Sequence, residues 1–547
     1  METTEDPRSL YKYSPKGENH APMNSKPEYH EIEEFQNRSK KLDEIRSSGV
    51  DPYPHKFQPD VLAENLRQEY ENQDIGHSDD AASGSTPLVT VAGRLFLFRA
   101  MGKNAFGQIQ DETGRIQFMC NRDLTKVEGL DPEKAGISHI KFIEKKIDLG
   151  DIIGIEGHLF RTQKGEITVF VKKLTVLCKS LLPLPDKHSG LADKGVRYRK
   201  RWLDLLVNRP SYDRLLFRSK IVSTIRKYMD DADFIEVETP ILQNCYGGAE
   251  AEPFTSHLNA LHQDMFLRIS LEIPLKKLIV GGMHKVYEIG KVFRNEGLDR
   301  THNPEFTEIE AYAAYWDYDD MMSFVEGMYE FVALELFGST QIRVELDDGA
   351  TSEVIDVKAP WKRITMKGAI KEYGKHDVDA MSDEEMKKLL TKETNLDPKE
   401  VQKAPRGNLI AMMFEEFAES HLIQPHHITD HPIETTPFAK LHRTESDKDD
   451  GLVERFESFI LGTECCNAYT ELNDPELQRK LLVQQAEKRL AGDPHAPPLD
   501  EEFIEAICQG MPPTSGMGIG VDRLVMLFTS AASIRDVLYF PLLKETD

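Results

Sequence analysis

Apolar and polar residues alternate along the chain between Leu88 and Ser180. Four runs show this period of two, and turn sequences such as DETG and TQKG separate them: VTVAGRLFL, IQFMC, IIGIEGHL and ITVFV. A period of two places successive side chains on opposite faces of a strand. Short strands joined by hairpins are typical of a small antiparallel barrel, and we predict one over residues 87–180.

Helical spacing appears on both sides of this region. Apolar residues recur at helical intervals within 29–47, and Gly49 with Pro52 ends that helix. A second apolar stripe runs from Tyr212 to Met229. Residues 361–421 are rich in Lys and Glu and are predicted to form a helical insertion without obvious site residues.

These patterns divide the chain into five parts. They are a disordered, proline-containing tail (1–28), an N-terminal helix with a connecting segment (29–86), the barrel (87–180), a linker (181–201) and a long C-terminal domain (202–547). The linker ends in the basic cluster Arg197, Arg199, Lys200 and Arg201, which either contacts RNA phosphates or is a solvated charge run. A chain of 547 residues is long enough to bury more than one core.

The barrel region differs in net charge from the chain as a whole. The whole chain carries −25, so bulk electrostatics does not suggest a nucleic-acid partner. The barrel region holds 15 Lys and Arg against 11 Asp and Glu, with Phe96, Phe98, Phe106 and Phe118 interleaved. A basic barrel with aromatic side chains suits the stacking of unpaired bases, although any single one of these rings is more often a core residue.

Targeting and redox signals are missing from the pattern. No apolar run is long enough to span a bilayer, and the N-terminus has neither a hydrophobic signal core nor a transit-peptide composition. The six cysteines form no CxxC pair, and reduced thiols are the preferred interpretation. We therefore expect a cytoplasmic protein.

Candidate chemistry begins at Gly290–Tyr312, GKVFRNEGLDRTHNPEFTEIEAY, which is predicted as strand, loop and strand. Arg294 at a strand end, with Glu296 and His302 after it, suits a polyphosphate nucleotide, because a guanidinium binds phosphate in a fork. A surface hairpin held by salt bridges is an equally good explanation of this stretch alone.

A second stretch, TSGMGIGVDRLVMLF from Thr514, leads small residues into an apolar helix with Arg523 in its first turn. Gly516, Gly518 and Gly520 have the spacing GxGxG, the third glycine of GxGxxG is missing, and no βαβ unit follows. A dinucleotide-binding Rossmann site is therefore rejected.

Together these stretches resemble a known family. FIEVETP (Phe234–Pro240), FRNEG with HNPEF, and GMGIGVDRL are similar to motifs 1, 2 and 3 of class II aminoacyl-tRNA synthetases, in that order. GVDPYP is similar to the segment that follows the first helix of lysyl-tRNA synthetases. QIQDETGRIQ and DIIGIEGHLF are similar to the OB-fold anticodon-binding domain of class IIb synthetases. The chain lacks the Lys-rich N-terminal arm of many eukaryotic relatives, which favours the bacterial type. The resemblance implies an α+β fold with an N-terminal OB-fold β-barrel and an antiparallel catalytic sheet flanked by helices, in a homodimer.

The resemblance also implies site residues. For catalysis they are Arg294 and Arg523; for ATP, Arg294, Glu296, His302, Phe306 and Arg523; for lysine, Gly248, Glu272, Arg294, Glu310, Tyr312, Asn467, Tyr469 and Glu471; for Mg²⁺, Glu457 and Glu464; for the tRNA anticodon, Phe106 and Gln117. The implied partners are ATP, L-lysine and tRNA(Lys). The family usually reads IAPELYLK where residues 269–276 read ISLEIPLK, so Glu272 is kept while Pro274 is new.

The charge of the candidate pocket indicates which amino acid it binds. A pocket for lysine must desolvate an ammonium group and needs fixed carboxylates, whereas a pocket for aspartate needs cations. Glu272, Glu310 and Glu471 are therefore expected to converge on one cavity. An aspartyl- or asparaginyl-tRNA synthetase, a lysine ligase acting on a protein, and a non-catalytic RNA-binding or signalling paralogue are the alternatives.

Overall fold

The computed structural model describes residues 27–185, 191, 193–345, 351–491 and 495–544, and the chain divides into two compact units, Met1–Gly190 and Leu191–Asp547. The predicted tail lies almost wholly outside the described residues. The first unit contains helices α1 (Glu33–Ser47), α2 (Ala63–Tyr70), α3 (Ser78–Ser83), α4 (Pro132–Ala135) and α5 (His139–Lys146) and strands β1 (Leu88–Met101), β2 (Asn104–Gln110), β3 (Arg115–Asn121), β4 (Lys126–Val127), β5 (Ile152–Arg161) and β6 (Ile167–Cys178).

The strands of the first unit form a closed barrel, as the alternating pattern predicts. The order is β3-β2-β1-β5-β6, and β3 also pairs with β6, which closes the ring. The inward positions of the alternation fill the barrel, with Val91, Ile116, Ile155 and Val169 all buried. The α+β fold class with an N-terminal OB-fold is confirmed.

Among its described residues, the second unit contains thirteen strands and fourteen α-helices. The strands are β7 (Ile235–Glu236), β8 (Leu242–Gln243), β9 (Thr255–Leu258), β10 (Gln263–Leu267), β11 (Lys285–Phe293), β12 (Glu305–Ala314), β13 (Gln341–Glu345), β14 (Ser352–Asp356), β15 (Lys362–Thr365), β16 (His426–Pro432), β17 (Leu452–Ile460), β18 (Thr463–Thr470) and β19 (Thr514–Gly520). The helices are α6 (Lys194–Arg199), α7 (Arg201–Val207), α8 (Arg209–Asp231), α9 (Glu272–Val280), α10 (Tyr318–Phe337), α11 (Met366–Ala369), α12 (Asp383–Glu393), α13 (Pro398–Lys403), α14 (Arg406–Phe417), α15 (Glu445–Asp449), α16 (Pro475–Leu490), α17 (Glu501–Cys508), α18 (Val521–Thr529) and α19 (Ile534–Val537).

The main sheet of this unit has the strand order β15-β16-β17-β18-β19-β12-β11-β7. Its pairs are antiparallel except β15 with β16 and β11 with β7, which are parallel. One face packs on α10 through the odd positions of β12 and β19, including Ile309, Ala311, Met517 and Ile519, which are all buried. The even positions of both strands therefore face the other side of the sheet, where the candidate site lies.

A buried ion pair joins the three motif regions. Asp522 in α18 pairs with Arg218 in α8 and accepts a hydrogen bond from the backbone N–H of Thr307 in β12 at 2.8 Å. Arg218 also donates to the Thr307 hydroxyl at 3.1 Å. The helix before the first motif and the helix of the third motif are thus held against the hairpin.

Two segments differ in detail from the predictions. The end of the predicted linker is helical, and its basic cluster is partly used inside the fold: Arg197 and Arg201 both pair with buried Asp204 at 2.8 Å. The insertion begins with strand β15, and its helices α11, α12 and α14 enclose a core of their own.

Candidate active site

Two adjoining cavities open on the face of the main sheet that carries the even-numbered residues of β12 and β19. We call the first the acidic cavity, about 310 Å³, because Glu272, Glu310 and Tyr312 line it. We call the second the arginine cavity, about 340 Å³, lined by Arg294, His302 and Arg523 among others. Five residues line both and mark the junction: Arg294, Glu308, Glu464, Asn467 and Gly518.

Strand alternation explains why these residues meet. On β12, Glu308, Glu310 and Tyr312 share one face, and in the register Glu310 lies opposite Gly518 and Tyr312 opposite Gly516. On β18, Asn467 and Tyr469 face the same side, next to the same two glycines. The GxGxG stretch is therefore a glycine-bearing strand whose missing side chains leave room for its neighbours. A β-carbon at Gly516 would overlap both the Tyr312 ring and the Glu471 carboxylate.

Glu310 is a buried and fully bonded carboxylate. It accepts hydrogen bonds from the Ser270 hydroxyl at 2.8 Å, the Leu271 backbone N–H at 2.7 Å and the Tyr312 hydroxyl at 2.8 Å. Burial, with the nearby charges of Glu308 and Glu272, raises the pKa of Glu310 to about 8. An ammonium group in the cavity would favour its ionised form.

Glu272 and Glu471 approach the same cavity from other elements. Glu272 begins α9 and accepts a hydrogen bond from the Tyr469 hydroxyl at 2.8 Å. Glu471 follows β18 and is 1% exposed. Between the two carboxylates lies the ammonium of Lys276, 2.5 Å from Glu272 and in direct contact with Glu471. The new Pro274 falls in the first turn of α9, where a backbone N–H has no helical partner to lose.

Gly248 lies in a loop next to Ser270 and Glu272. Its φ is +84°, and a β-carbon there would lie 2.7 Å from the Ser270 hydroxyl and 2.9 Å from the Glu272 β-carbon. Only glycine adopts this conformation readily and fits the space. The structure thus brings Gly248, Glu272, Glu310, Tyr312 and Tyr469 to the acidic cavity. Glu471 does not line this cavity and lies directly behind its wall, next to Gly516 and Lys276.

Arg294 stands at the junction of the two cavities. It follows β11, its Nε donates to the Ile269 carbonyl at 3.2 Å, and its guanidinium lies 5.1 Å from the centre of the Phe306 ring. Asn467 accepts a hydrogen bond from Arg455 Nε at 3.0 Å through its side-chain oxygen, so its amide N–H groups are the ones that can donate into the junction.

Arg523 and His302 in the arginine cavity are more exposed than Glu272 in the acidic cavity. Arg523 donates to the Glu464 carbonyl at 3.0 Å and lies 3.2 Å from Nε2 of His302. His302 Nδ1 lies 2.9 Å from Asp299, which assigns the proton to Nδ1 and leaves Nε2 as the acceptor. Glu296 is exposed, 3.7 Å from His495. All five residues predicted for ATP line this cavity.

Glu457 and Glu464 lie on adjacent strands, β17 and β18. Glu457 pairs with Arg455 at 2.6 Å, and Glu464 lies 3.5 Å from Arg523. A third cavity beside them is also lined by Glu415 and Glu419 from the insertion, which the sequence had predicted to contain no obvious site residue. In the parts of the chain that the structure describes, no group of three or more His, Cys, Asp or Glu is arranged to hold a metal alone.

The structure also adds two residues that sequence reasoning missed. Glu308 lines both cavities, and its Oε2 is buried with no hydrogen-bond partner among the described residues. Lys276 is completely buried between two carboxylates. The alternation of β12 could have indicated Glu308, because Glu308 is two residues before Glu310.

In the barrel, Phe106 and Gln117 lie on adjacent strands. Phe106 is half-buried against a cluster with Met119 and Phe160, and Gln117 donates to the Thr168 hydroxyl at 2.9 Å. Phe96 and Phe118 are buried, as expected for core positions.

The site as a whole can hold a cation and an anion side by side. Carboxylates surround the acidic cavity, and guanidinium groups reach into the arginine cavity. Such an arrangement suits the meeting of a cationic small molecule with a polyphosphate at the junction, where Arg294 can contact both.

Comparisons with known proteins agree with this geometry. Residues 193–544 match the family model described as tRNA synthetases class II (D, K and N), and residues 89–177 match the OB-fold nucleic acid binding domain. The chain is 55% identical over 524 residues to the lysine–tRNA ligase of Chlamydia caviae, covering 96% of this chain and 99% of that protein. It is 56% identical over 526 residues to that of Chlamydia pneumoniae, with the same coverage, and 45% identical over 514 residues to that of Lactiplantibacillus plantarum, covering 93% and 96%.

None of the helices in the described part of the chain is both long and apolar enough to cross a membrane.

Proposed function

Because this chain belongs to the lysine–tRNA ligase family of class II tRNA synthetases, we propose that it attaches L-lysine to the 3′ end of tRNA(Lys) in an ATP-dependent reaction. The reaction passes through lysyl-adenylate and releases pyrophosphate and then AMP. The OB-fold unit supports tRNA as the acceptor, because such barrels bind nucleic acid.

One observation supports lysine, rather than aspartate, as the amino-acid substrate. Glu272, Glu310 and Glu471 are each no more than 4% exposed. Glu272 and Glu310 line the acidic cavity, and Glu471 lies directly behind its wall at Gly516. Burying three carboxylates together is costly unless cations neutralise them. The side-chain and α-ammonium groups of lysine supply such cations, whereas the side-chain carboxylate of aspartate would be repelled.

Lysine is held at both of its ends. Glu310, Glu471 and Tyr312 face the ε-ammonium, while Glu272 and the Gly248 carbonyl accept hydrogen bonds from the α-ammonium. Asn467 and Arg294 hold the carboxylate at the junction, and Tyr469 keeps Glu272 in place through its 2.8 Å hydrogen bond.

Activation needs positioning rather than a base. The lysine carboxylate is already ionised at neutral pH, and its oxygen attacks the α-phosphorus of ATP as the bond to pyrophosphate breaks. Arg294 stabilises the charge that develops on the α-phosphate. Phe306 stacks on the adenine, Glu296 accepts from its amino group, and His302 with Arg523 holds the β- and γ-phosphates.

Glu457 and Glu464 fit Mg²⁺ as partial ligands. They are hard oxygen donors on adjacent strands beside the phosphate-binding arginines. Mg²⁺ usually keeps several waters and takes one or two carboxylates together with substrate phosphates, which suits a donor set that is incomplete by itself. When bound, the ion neutralises phosphate charge.

In the second step the 3′-hydroxyl of the terminal adenosine attacks the lysyl carbonyl. The bond from that carbonyl to the phosphate oxygen breaks, AMP leaves, and a phosphate oxygen of the adenylate takes the hydroxyl proton. In the barrel, Phe106 stacks on an anticodon base and Gln117 hydrogen-bonds with a neighbouring base edge.

The family also supports a homodimer and a cytoplasmic location. The elements of the first motif region carry exposed apolar side chains that a second copy would cover, among them Leu216, Ile235 and Leu242. A location in the cytoplasm follows from the role of charged tRNA in translation.

The test is ATP–pyrophosphate exchange with each amino acid supplied separately. We expect exchange with L-lysine, and we expect charging of tRNA(Lys) by the same preparation. Exchange that depends on aspartate or asparagine instead would favour a related synthetase. Exchange with lysine but no charging of any tRNA, together with transfer to a protein, would favour a protein–lysine ligase.

A further inference from the structure

Lys276 is a buried cation behind the wall of the acidic cavity, where it contacts Glu272 of the lining. It lies in α9, four residues after Glu272, and its side chain has no exposed surface. Its ammonium contacts Glu272 at 2.5 Å and also touches Glu471, so one cation joins the helix to the residue that follows β18. Lysine is among the residues least often buried, and it is seldom fully buried without charged partners.

The surroundings of Lys276 keep it charged. Three aromatic rings surround the ammonium, with centres 4.9 Å away for Phe438, 5.4 Å for Tyr469 and 5.8 Å for Phe503. Burial alone would lower the pKa of Lys276, but the two glutamates outweigh burial, and the pKa lies above its ordinary value. Ring faces add an attraction for a desolvated cation.

The two partners of Lys276 are also the two proposed contacts for opposite ends of the substrate. Glu272 serves the α-ammonium and Glu471 the ε-ammonium, and Lys276 fixes their separation. In the described part of the chain, neither Glu471 oxygen has a hydrogen bond that meets ordinary geometry, so the ion pair with Lys276 is what holds this carboxylate.

Lys276 also balances the charge of the three glutamates. When all three are ionised in the complex, Glu272, Glu310 and Glu471 carry three negative charges against the one positive charge of Lys276. A bound lysine molecule brings two ammonium groups to this set, while its carboxylate lies at Arg294. The charges of the set are then matched, whereas without Lys276 one carboxylate would be unmatched, which is costly inside a protein.

We propose that Lys276 is a positioning residue for amino-acid recognition, which holds Glu272 and Glu471 at the spacing and charge that match the two ammonium groups of lysine. The inference rests on the proposed function and adds to it a residue that touches the binding carboxylates rather than the substrate. It predicts an effect on lysine and not on ATP, because Lys276 does not line the arginine cavity.

The test compares three variants of the full-length protein with the wild type. Lys276→Met removes the charge and keeps an apolar stem among the aromatic rings. Lys276→Arg keeps the charge but moves it. Lys277→Met is the matched control, because this adjacent lysine is part-exposed and pairs at 2.8 Å with Glu502 on the surface. Lysine-dependent pyrophosphate exchange gives kcat and the KM values for lysine and ATP.

We expect Lys276→Met to raise the KM for lysine about 30-fold or more, as for loss of one partner of a buried charge pair. Lys276→Arg should give a smaller rise, and in both variants the KM for ATP should stay within about threefold of wild type. Lys277→Met should leave both constants unchanged.

Circular dichroism and thermal unfolding establish that each variant is folded before its constants are compared. A folded Lys276→Met enzyme with an unchanged KM for lysine would overturn the proposal, as would equal rises in both KM values, which indicate general structural damage. If Lys276→Met does not fold, Lys276→Arg decides in the same way. A wild-type enzyme that shows no exchange with lysine would instead refute the proposed function, and this result is seen before any variant is compared.

Discussion

The acidic cavity and the arginine cavity adjoin each other but are built differently. Glu272 in the wall of the acidic cavity has a side chain 5% exposed, and Lys276 and Glu471 directly behind it are 0% and 1% exposed. Lys276 forms ion pairs with both glutamates. In the arginine cavity the side chain of Arg523 is 29% exposed and that of His302 56% exposed, and one hydrogen bond joins the two. One end of the site is formed before any ligand arrives, and the other consists of long side chains at the surface.

The difference fits the ligand that each end is proposed to recognise. An amino-acid side chain offers one charged group, so discrimination depends on desolvated carboxylates at fixed positions, where a mismatch leaves a buried charge unpaired. A polyphosphate offers many oxygens and carries its own charge, so guanidinium groups can bind it without being buried beforehand. We infer that specificity resides in the acidic cavity and that much of the catalytic contribution resides at the junction and in the arginine cavity.

The largest effect is expected at the junction. Arg294→Ala removes the one side chain proposed to contact both the lysine carboxylate and the α-phosphate, so kcat/KM for adenylate formation should fall about a thousandfold or more. Pyrophosphate exchange measures the loss. Binding of tRNA(Lys), measured by filter retention, should change little.

Phe106→Ala is the reciprocal control for Arg294→Ala. Loss of a stacking ring in the barrel should weaken tRNA binding by about tenfold and leave pyrophosphate exchange intact. If either variant impaired tRNA binding and exchange to a similar degree, the assignment of activation and anticodon contact to different units would be contradicted.

The second prediction compares two glycines of the same strand, Gly516 at the acidic cavity and Gly520 at the arginine cavity. Gly516→Ala in β19 places a methyl group against Tyr312 and Glu471, and overpacking of this kind costs about 2 kcal/mol, or about 30-fold in the KM for lysine. In Gly520→Ala the nearest atoms to the new methyl group belong to Arg523 and lie 3.9 Å away. Its KM for lysine should change by less than about threefold, and any effect should fall on ATP.

Pyrophosphate exchange at varied lysine and varied ATP concentrations tests this contrast. Similar rises in the KM for lysine in both glycine variants would show that β19 responds as one unit. The distinction between an acidic and an arginine cavity would then have no functional meaning.

Much of this organisation was predictable from sequence. The period of two located the barrel strands. Local patterns suffice for such features because a strand repeats its geometry every two residues. The register of β12 with β19 in the structure, rather than the sequence, places Glu310, Tyr312 and the three glycines on one face. The strand-loop-strand prediction for 290–312 is confirmed by the pairing of β11 with β12.

Other features depend on contacts that local patterns do not encode. In sequence Lys276 is one of two adjacent lysines on a helix, and only rings from distant segments, such as Phe438 and Phe503, make it a buried cation. Glu415 and Glu419 look like ordinary surface charges in the sequence, yet Glu415 at the end of α14 and Glu419 in the turn after it line one cavity with Glu457. The roles of such residues are set by tertiary structure, which a period along the chain cannot show.

The smallest expected effect is a dependence of the KM for lysine on pH, which again depends on the acidic cavity. In the empty cavity the pKa of Glu310 is about 8, so Glu310 is largely protonated at pH 7. The same region contains Glu272, Glu308 and Glu471, whose charges act on Glu310, while Lys276 stays charged and Tyr312 stays neutral because their pKa values lie above the ordinary ones.

Bound lysine places an ammonium beside Glu310 and favours its ionised form, so binding releases a proton below pH 8. Because the free protein then binds more protons than the complex, affinity must rise with pH until Glu310 is ionised in both states. We expect the KM for lysine to fall about tenfold between pH 6.5 and 8 and then to level off. Glu310→Gln should show a higher KM with a much flatter profile. A wild-type KM that does not change over this range, or an equal slope in Glu310→Gln, would mean that Glu310 is ionised before lysine arrives, and the acidic cavity would then carry its full charge in the free enzyme.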